Sequence, residues 1–115
     1  MTLTLDHIQL AIPWNGETSA REFWSDTIGL HEIEKPPALR ARGGCWFAIG
    51  TQQLHLGIET PFAPALKAHL GILTPDLNAL ATKFGTVTWD SALPNRRRFF
   101  CTDPFGNRLE FIELS

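Results

Sequence analysis

The chain has 115 residues, of which 43% are apolar and 19% charged, as in a single soluble folded domain. Its net charge of −2 offers no general attraction for nucleic acid, and no apolar run approaches the roughly 20 residues of a membrane helix. The N-terminus lacks the features of a secretory signal, and two cysteines, Cys45 and Cys101, do not make a disulfide framework. We therefore expect a cytoplasmic protein with neither a nucleic-acid nor a membrane partner.

The first half of the chain has the hydrophobic pattern of a strand, a helix and three further strands. Alternating apolar residues predict the first strand, which Pro13 ends. Apolar residues at helical spacing then predict a helix that stops at Gly29. The predicted elements of this half are a strand at residues 3–12, a helix at 17–28 and strands at 31–35, 45–49 and 53–58.

The second half of the chain repeats this β-α-β-β-β order. The segment 59–66 between the halves contains Pro61 and Pro64, so we expect a short, stiff linker. The predicted elements of the second half are a strand at residues 67–73, a helix at 75–84 and strands at 86–89, 97–102 and 107–113. The pattern therefore predicts one α+β domain built from two tandem βαβββ modules, residues 1–60 and 65–115.

The two halves open with the same short sequence pattern. L-D-H-I-Q-L-A-I-P at residues 5–13 matches K-A-H-L-G-I-L-T-P at residues 67–75. His7 and His69 therefore hold equivalent positions at the start of the two modules. Such an internal repeat indicates the architecture more strongly than any local motif does.

The two halves also end with related patterns. G-T-Q-Q-L-H-L at residues 50–56 resembles G-N-R-L-E-F at residues 106–111, which makes His55 and Glu110 equivalent. An isolated histidine on a strand is more often an ordinary structural or surface residue than a metal ligand. Equivalent positions in both modules make that alternative weaker.

Alternate side chains of a strand lie on one face, so each of these four positions shares a face with polar or small neighbours. Gln9 and Gln53 are two such neighbours, and both are candidates for contacting a substrate. Three imidazoles and one carboxylate suit Zn, Fe(II), Ni, Co or Mn rather than Ca or Mg. We therefore predict that a divalent metal ion binds on the concave face of a curved sheet, held by His7, His55, His69 and Glu110.

Two further groups of residues are weaker candidates for substrate binding. Strand alternation places Arg96 and Arg98 on one face, where either could bind a carboxylate or phosphate. The alternative is a solvated charge run that protects a sheet edge. Trp46 could line a pocket for an apolar ligand or could belong to the core.

The paired modules and the segment D-P-F-G-N-R-L-E-F-I-E at residues 103–113 resemble the vicinal oxygen chelate superfamily. That superfamily includes glyoxalase I, extradiol dioxygenases, fosfomycin-resistance thiol transferases and bleomycin-resistance proteins. L-H-L-G-I-E followed by P-A-L-K-A-H resembles its small bacterial glyoxalase-like branch. The resemblance implies a half-barrel of mostly antiparallel sheet and the same four metal ligands, His7, His55, His69 and Glu110.

The resemblance also implies a reaction class. Chelation of two substrate oxygens by the metal would support a lyase or isomerase acting on a small oxygen-rich substrate, with Glu110 as the proton-shuttling base. One alternative is a non-catalytic protein that sequesters a drug or metabolite, as bleomycin-resistance proteins do. Another is an extradiol-type dioxygenase, which the absence of tyrosine puts in doubt. Relatives of this size commonly pair modules across a two-fold axis, so we expect a homodimer.

Overall fold

In the computed structural model, which describes residues 1–114, the chain divides into two compact units. The first spans Met1–Ala63 and the second begins at Pro64. Each unit has the expected β-α-β-β-β order and forms one four-stranded mixed sheet. The expected α+β fold of two βαβββ modules is therefore confirmed.

The first unit contains four strands and three short helical segments. Its sheet has the order β1-β4-β3-β2, in which β1 and β4 are parallel and the other neighbours antiparallel. The helix α1 continues directly into a π-helical segment, and a 3₁₀ segment precedes β3. The elements are β1 His7–Ile12, α1 Glu17–Arg21, the π-helical segment Glu22–Thr27, β2 His31–Ile33, the 3₁₀ segment Pro37–Arg42, β3 Cys45–Ile49 and β4 Gln52–Ile58.

The largest differences from the sequence prediction in this unit are in β1 and in the helix; β2 ends at Ile33 rather than at residue 35, and β4 begins one residue early, at Gln52. β1 begins at His7 rather than at residue 3, because Leu3 and Leu5 remain 79% and 61% exposed and have no buried face to join. The predicted helix at residues 17–28 changes to π-helical geometry after Arg21, where Ile28 N donates to the Phe23 carbonyl five residues earlier. The wider turn is compatible with the complete burial of Trp24.

The second unit repeats the arrangement with less helix. Its sheet has the order β5-β8-β7-β6, again with one parallel pair, β5 with β8. The helix begins after Asp76, whose side chain accepts a hydrogen bond from Ala79 N at 3.0 Å. The elements are β5 His69–Thr74, α2 Leu77–Ala81, β6 Thr88–Asp90, β7 Arg98–Thr102 and β8 Arg108–Glu113.

The strand register confirms the internal repeat. In the first unit His7 lies opposite Gln53, and in the second His69 lies opposite Arg108. His55 and Glu110 then follow two residues later on β4 and β8, one on each sheet. The polar residues therefore share one face of each sheet, as alternation predicts.

The opposite face of each sheet carries the hydrophobic core. In the first unit this core includes Phe47, Leu54 and Leu56, together with the helical residue Trp24. In the second unit Phe84, just after α2, packs on Phe99 and Phe111 with ring centroids 6.0 and 5.9 Å apart. Burial of one face leaves the other free for polar side chains.

Two further expectations concern the cysteines and the membrane. Cys45 and Cys101 are free thiols. Among residues 1–114 no helix has the length and apolar character needed to cross a membrane.

Candidate functional site

On the polar face of the first unit, the His55 ring lies between two other rings. His7, on β1, stacks on it with centroids 4.1 Å apart, and Trp46, on β3, stacks with centroids 3.7 Å apart. His55 Nε2 donates to Gln53 Oε1 at 2.8 Å, so the neutral ring keeps its lone pair on Nδ1. His55 is only 5% exposed, and burial lowers its pKa, with a further lowering from His7.

On the polar face of the second unit, Glu110 is the centre of a polar network. Its Oε1 lies 3.1 Å from His69 Nε2, and its Oε2 accepts a hydrogen bond from Arg98 at 2.8 Å. Arg98 also reaches Asp90 Oδ2 at 3.3 Å. Although burial by itself raises the pKa of Glu110, its hydrogen bonds from Arg98 and His69 bring that pKa below the ordinary value.

The two nitrogens of His69 face different partners. Nδ1 lies 3.1 Å from the Lys67 carbonyl, which can only accept, so Nδ1 carries a proton. Nε2 lies 3.1 Å from the Glu110 carboxylate, to which it donates a hydrogen bond when the ring carries a second proton and presents a lone pair when it does not. Two acceptors at that distance repel each other unless a proton or a metal ion lies between them.

This contact fits a divalent metal ion. Two ligand bonds of about 2.1 Å at a right angle separate the ligand atoms by about 3.0 Å, close to the observed 3.1 Å between His69 and Glu110. The Lys67 carbonyl next to His69 and the Arg98 guanidinium next to Glu110 are typical hydrogen-bonding partners of metal ligands. In the second unit, the structure therefore brings together two suitable donors in a suitable arrangement.

The first unit contributes donors of the right type in a different arrangement. The His7 and His55 rings are only 14° from parallel, so their nitrogen lone pairs lie in nearly parallel planes. A metal ion bound by both would require one ring to turn out of the stack. Among residues 1–114 neither unit by itself groups three or more His, Cys, Asp or Glu side chains that could hold a metal ion. Each unit therefore supplies one half of the predicted ligand set.

The predicted substrate-binding residues fall into two groups. Gln9, Gln53 and Trp46 lie on the polar face beside His55, where Gln9 is its direct neighbour on β1. The two arginines lie on the second unit. The Arg98 guanidinium binds Glu110 and Asp90. Of its three nitrogens, Nε alone has no hydrogen-bond partner within residues 1–114.

Arg96 and Arg97 precede β7, which begins at Arg98, so strand alternation does not apply to them. Arg96 is exposed to solvent. Arg97 points to the opposite side and binds Glu113 at 2.9 Å and Asn78 at 2.8 Å. Whether Arg96 or Arg98 contacts a substrate stays a prediction.

Sequence reasoning missed two cations next to the polar face of the first unit. Lys35 and Arg42 line a cavity together with Gln9 and Trp46. Both belong to the stretch K-P-P-A-L-R-A-R at residues 35–42, which runs from the end of the predicted strand 31–35 into the connection before the next predicted strand. Its three basic residues and the absence of acidic ones were the available signal.

Comparison with known proteins places the fold in one family. A crystal structure from Bacillus anthracis, assigned to the glyoxalase family, matches with a TM-score of 0.94 and 40% identity over 100% of this chain and 98% of that one. Lactoylglutathione lyase from Agrobacterium tumefaciens matches with a TM-score of 0.72 and 21% identity over 96% and 92% of the two chains. A glyoxalase/bleomycin resistance protein/dioxygenase superfamily member from Sphaerobacter thermophilus gives 0.75 and 13% over 98% of both.

No protein-family model matches the chain, and no curated protein does. The two more distant structures share the fold, whereas the Bacillus anthracis protein is similar in sequence along the whole chain. The chain belongs to the glyoxalase family.

Proposed function

We propose that this protein is a metal-dependent enzyme of the glyoxalase type, a lyase or isomerase that acts on a small oxygen-rich substrate. The observation that supports this proposal is the 3.1 Å approach of His69 Nε2 to the Glu110 carboxylate, with His69 also contacting the Lys67 carbonyl and Glu110 also bound by Arg98. A metal ion would replace the proton between these two atoms and bond to both. The bound ion would then stabilise this arrangement of the two side chains.

The proposed ligands are His7, His55, His69 and Glu110, and the ion is Zn, Fe, Ni, Co or Mn. When bound, it would act as a Lewis acid toward a pair of substrate oxygens. Gln9 and Gln53 would orient the substrate by hydrogen bonds. Trp46 would keep water from one side of His55, since its ring covers that imidazole.

We further propose that a homodimer completes the ligand set. Each unit presents two of the four donors, and a two-fold axis would pair the first unit of one chain with the second unit of its twin. Mixing a His7→Ala protein with a Glu110→Ala protein tests this arrangement. Metal binding should return in the mixture, because one of the two sites in the heterodimer is intact. No recovery after confirmed subunit exchange would mean that each chain builds its own site.

A second candidate function is a binding protein that sequesters a small molecule without turning it over. The ion pair of Glu110 with Arg98 favours it, because a carboxylate neutralised by a guanidinium is a weak base. Glu110 is also the only carboxylate among the four proposed ligands. A protein that merely binds needs no such base.

Glu110→Gln and Glu113→Gln form a matched pair that tests the proposal. Both residues lie on β8 and each forms an ion pair with an arginine, Glu110 with Arg98 and Glu113 with Arg97. The proteins would be stripped with EDTA, reloaded with each metal and assayed with the methylglyoxal–glutathione hemithioacetal and a catechol panel.

We expect wild type and Glu113→Gln to bind about one metal ion per chain and to turn over a substrate. Glu110→Gln should lose most of its activity, and more than Gln9→Ala or Gln53→Ala does. Metal binding by the wild type without turnover of any substrate would favour the binding-protein alternative, and full activity in Glu110→Gln would contradict the role of Glu110 as the base. Absence of metal binding in the wild type would refute the proposed metalloenzyme.

A further inference from the structure

The first unit contains a cavity of about 170 Å³ on the polar face of its sheet. Gln9, Trp46 and Gly57 contribute the sheet side, and Lys35 and Arg42 come from the segment between β2 and β3. Pockets that hold drug-sized ligands measure roughly 300–1,000 Å³. This cavity is therefore suited to a small group rather than to a bulky ligand.

The two cations at this cavity have no acidic partner. Within residues 1–114, Arg42 makes no ion pair, and Lys35 donates only to the Gly43 carbonyl. Neighbouring cations are neutralised, since Arg40 lies 3.9 Å from Glu34 and Arg21 binds Glu32 at 3.0 Å.

A further acidic residue near this segment, Glu17, is also engaged in a hydrogen bond. Glu17 Oε2 accepts a hydrogen bond from Gly44 N at 3.0 Å, and Glu17 does not line the cavity. Two cations that make no ion pair within residues 1–114 therefore line one small cavity. Such an arrangement attracts an anion and disfavours a cation.

The cavity adjoins the proposed metal ligand His55 through a shared wall. Trp46 stacks on His55 with parallel planes, 1° apart, and also lines the cavity. Gln9 lies opposite His55 in the β1–β4 register and lines the same space. A group bound here would be next to the proposed reaction centre.

Gly57 keeps this space accessible. A Cβ atom added at Gly57 would lie 2.6 Å from Gln9 Nε2, closer than any real contact, so Gln9 would have to move. The absence of a side chain thus allows the Gln9 amide to rest over the strand. The amide can then donate a hydrogen bond to a bound oxygen.

We propose that this cavity binds an anionic oxygen group of the substrate, a carboxylate or a phosphate, through Lys35 and Arg42. The guanidinium and the ammonium supply charge-assisted hydrogen bonds, and Gln9 supplies a neutral one. The identification of the ligand as part of the substrate rests on the proposed function. Anion binding itself does not, and it requires no metal ion.

A titration of the EDTA-treated protein tests the proposal without reference to activity or metal. Lactate, its neutral analogue lactamide and inorganic phosphate would be added at low ionic strength, and NMR would follow the Trp46 indole N–H. Lys35→Gln and Arg42→Gln each remove one charge from the cavity. Arg40→Gln is the matched control, because Arg40 belongs to the same 3₁₀ segment but does not line this cavity.

We expect lactate or phosphate to bind and lactamide to bind at least tenfold more weakly. Lys35→Gln and Arg42→Gln should each weaken anion binding about tenfold, in line with the loss of one charge-assisted hydrogen bond, whereas Arg40→Gln should stay within twofold. Saturation by lactate alone identifies a carboxylate site and by phosphate alone a phosphate site.

Three results would overturn the proposal: no binding of either anion, equal binding of lactamide, or an equal loss in Arg40→Gln. Because both the anion titration and the metal-binding measurement can be made separately, failure of one leaves the other intact. Circular dichroism of each variant checks that the fold is retained.

Discussion

The buried Asp103 organises the turn that leads into β8, and its removal should destabilise the protein measurably. Asp103 is 3% exposed and immediately follows β7. Its Oδ1 accepts hydrogen bonds from Phe105 N at 2.9 Å and Asn107 N at 2.8 Å, and its Oδ2 accepts one from Asn107 Nδ2 at 2.8 Å. The turn thereby sets where β8, with Glu110, begins.

The size of the effect follows from these three bonds. A hydrogen bond to a charged group contributes roughly 1.5–3 kcal/mol, but burial raises the pKa of Asp103 despite the bonds from Asn107 and Phe105, so desolvation offsets part of the gain. Asp103→Ala removes both the hydrogen bonds and the desolvation cost of the buried carboxylate. It also leaves the backbone N–H of the buried Asn107 without the Asp103 acceptor. We therefore expect a net loss of about 3 kcal/mol in the free energy of unfolding. Asp103→Asn keeps one carbonyl oxygen and should lose about half as much.

Urea unfolding followed by far-ultraviolet circular dichroism measures these differences. Asp26→Ala is a suitable control, because Asp26 is an exposed aspartate in the π-helical segment. Its free energy of unfolding should change by less than about 0.5 kcal/mol. A loss below about 1 kcal/mol in Asp103→Ala would refute the reasoning, because the three bonds would then contribute almost nothing net.

Three further predictions concern the site and the core. Arg98→Met should weaken metal binding about 10–100-fold, because it removes the guanidinium that orients the proposed ligand Glu110. Arg97→Met, on the opposite face, should leave metal affinity unchanged. Calorimetric titration with Zn²⁺ measures both affinities, and equal values would contradict this prediction. Burial raises the pKa of Cys45 from 9.0 to about 11, so at pH 8 its thiolate fraction is about 100-fold lower than that of an exposed cysteine. Mass spectrometry should therefore show slow labelling of Cys45 by iodoacetamide. Rapid labelling of the folded protein would be inconsistent with this burial. Gly57→Ala should displace the Gln9 amide and weaken lactate binding several-fold in the NMR titration, with unchanged affinity as the contrary result.

The sequence by itself determined the repeated βαβββ order and the face on which the polar residues lie. Both follow from short-range rules, because alternation along a strand decides which side chains share a face. His7 and His69 could be recognised as equivalent because each begins a similar nine-residue pattern. The D-P-F-G-N segment supported the family resemblance, although the role of Asp103 as an acceptor for the backbone N–H groups of Phe105 and Asn107 was not visible.

Only the tertiary structure decided how the side chains of that face interact. Arg98 could have met a substrate, but it binds Glu110 and Asp90, which come from strands on either side of it. The stacking of His55 between His7 and Trp46 likewise joins three separate strands. Such contacts depend on the order and register of strands that are distant in sequence, and these long-range pairings leave no periodic trace in the chain.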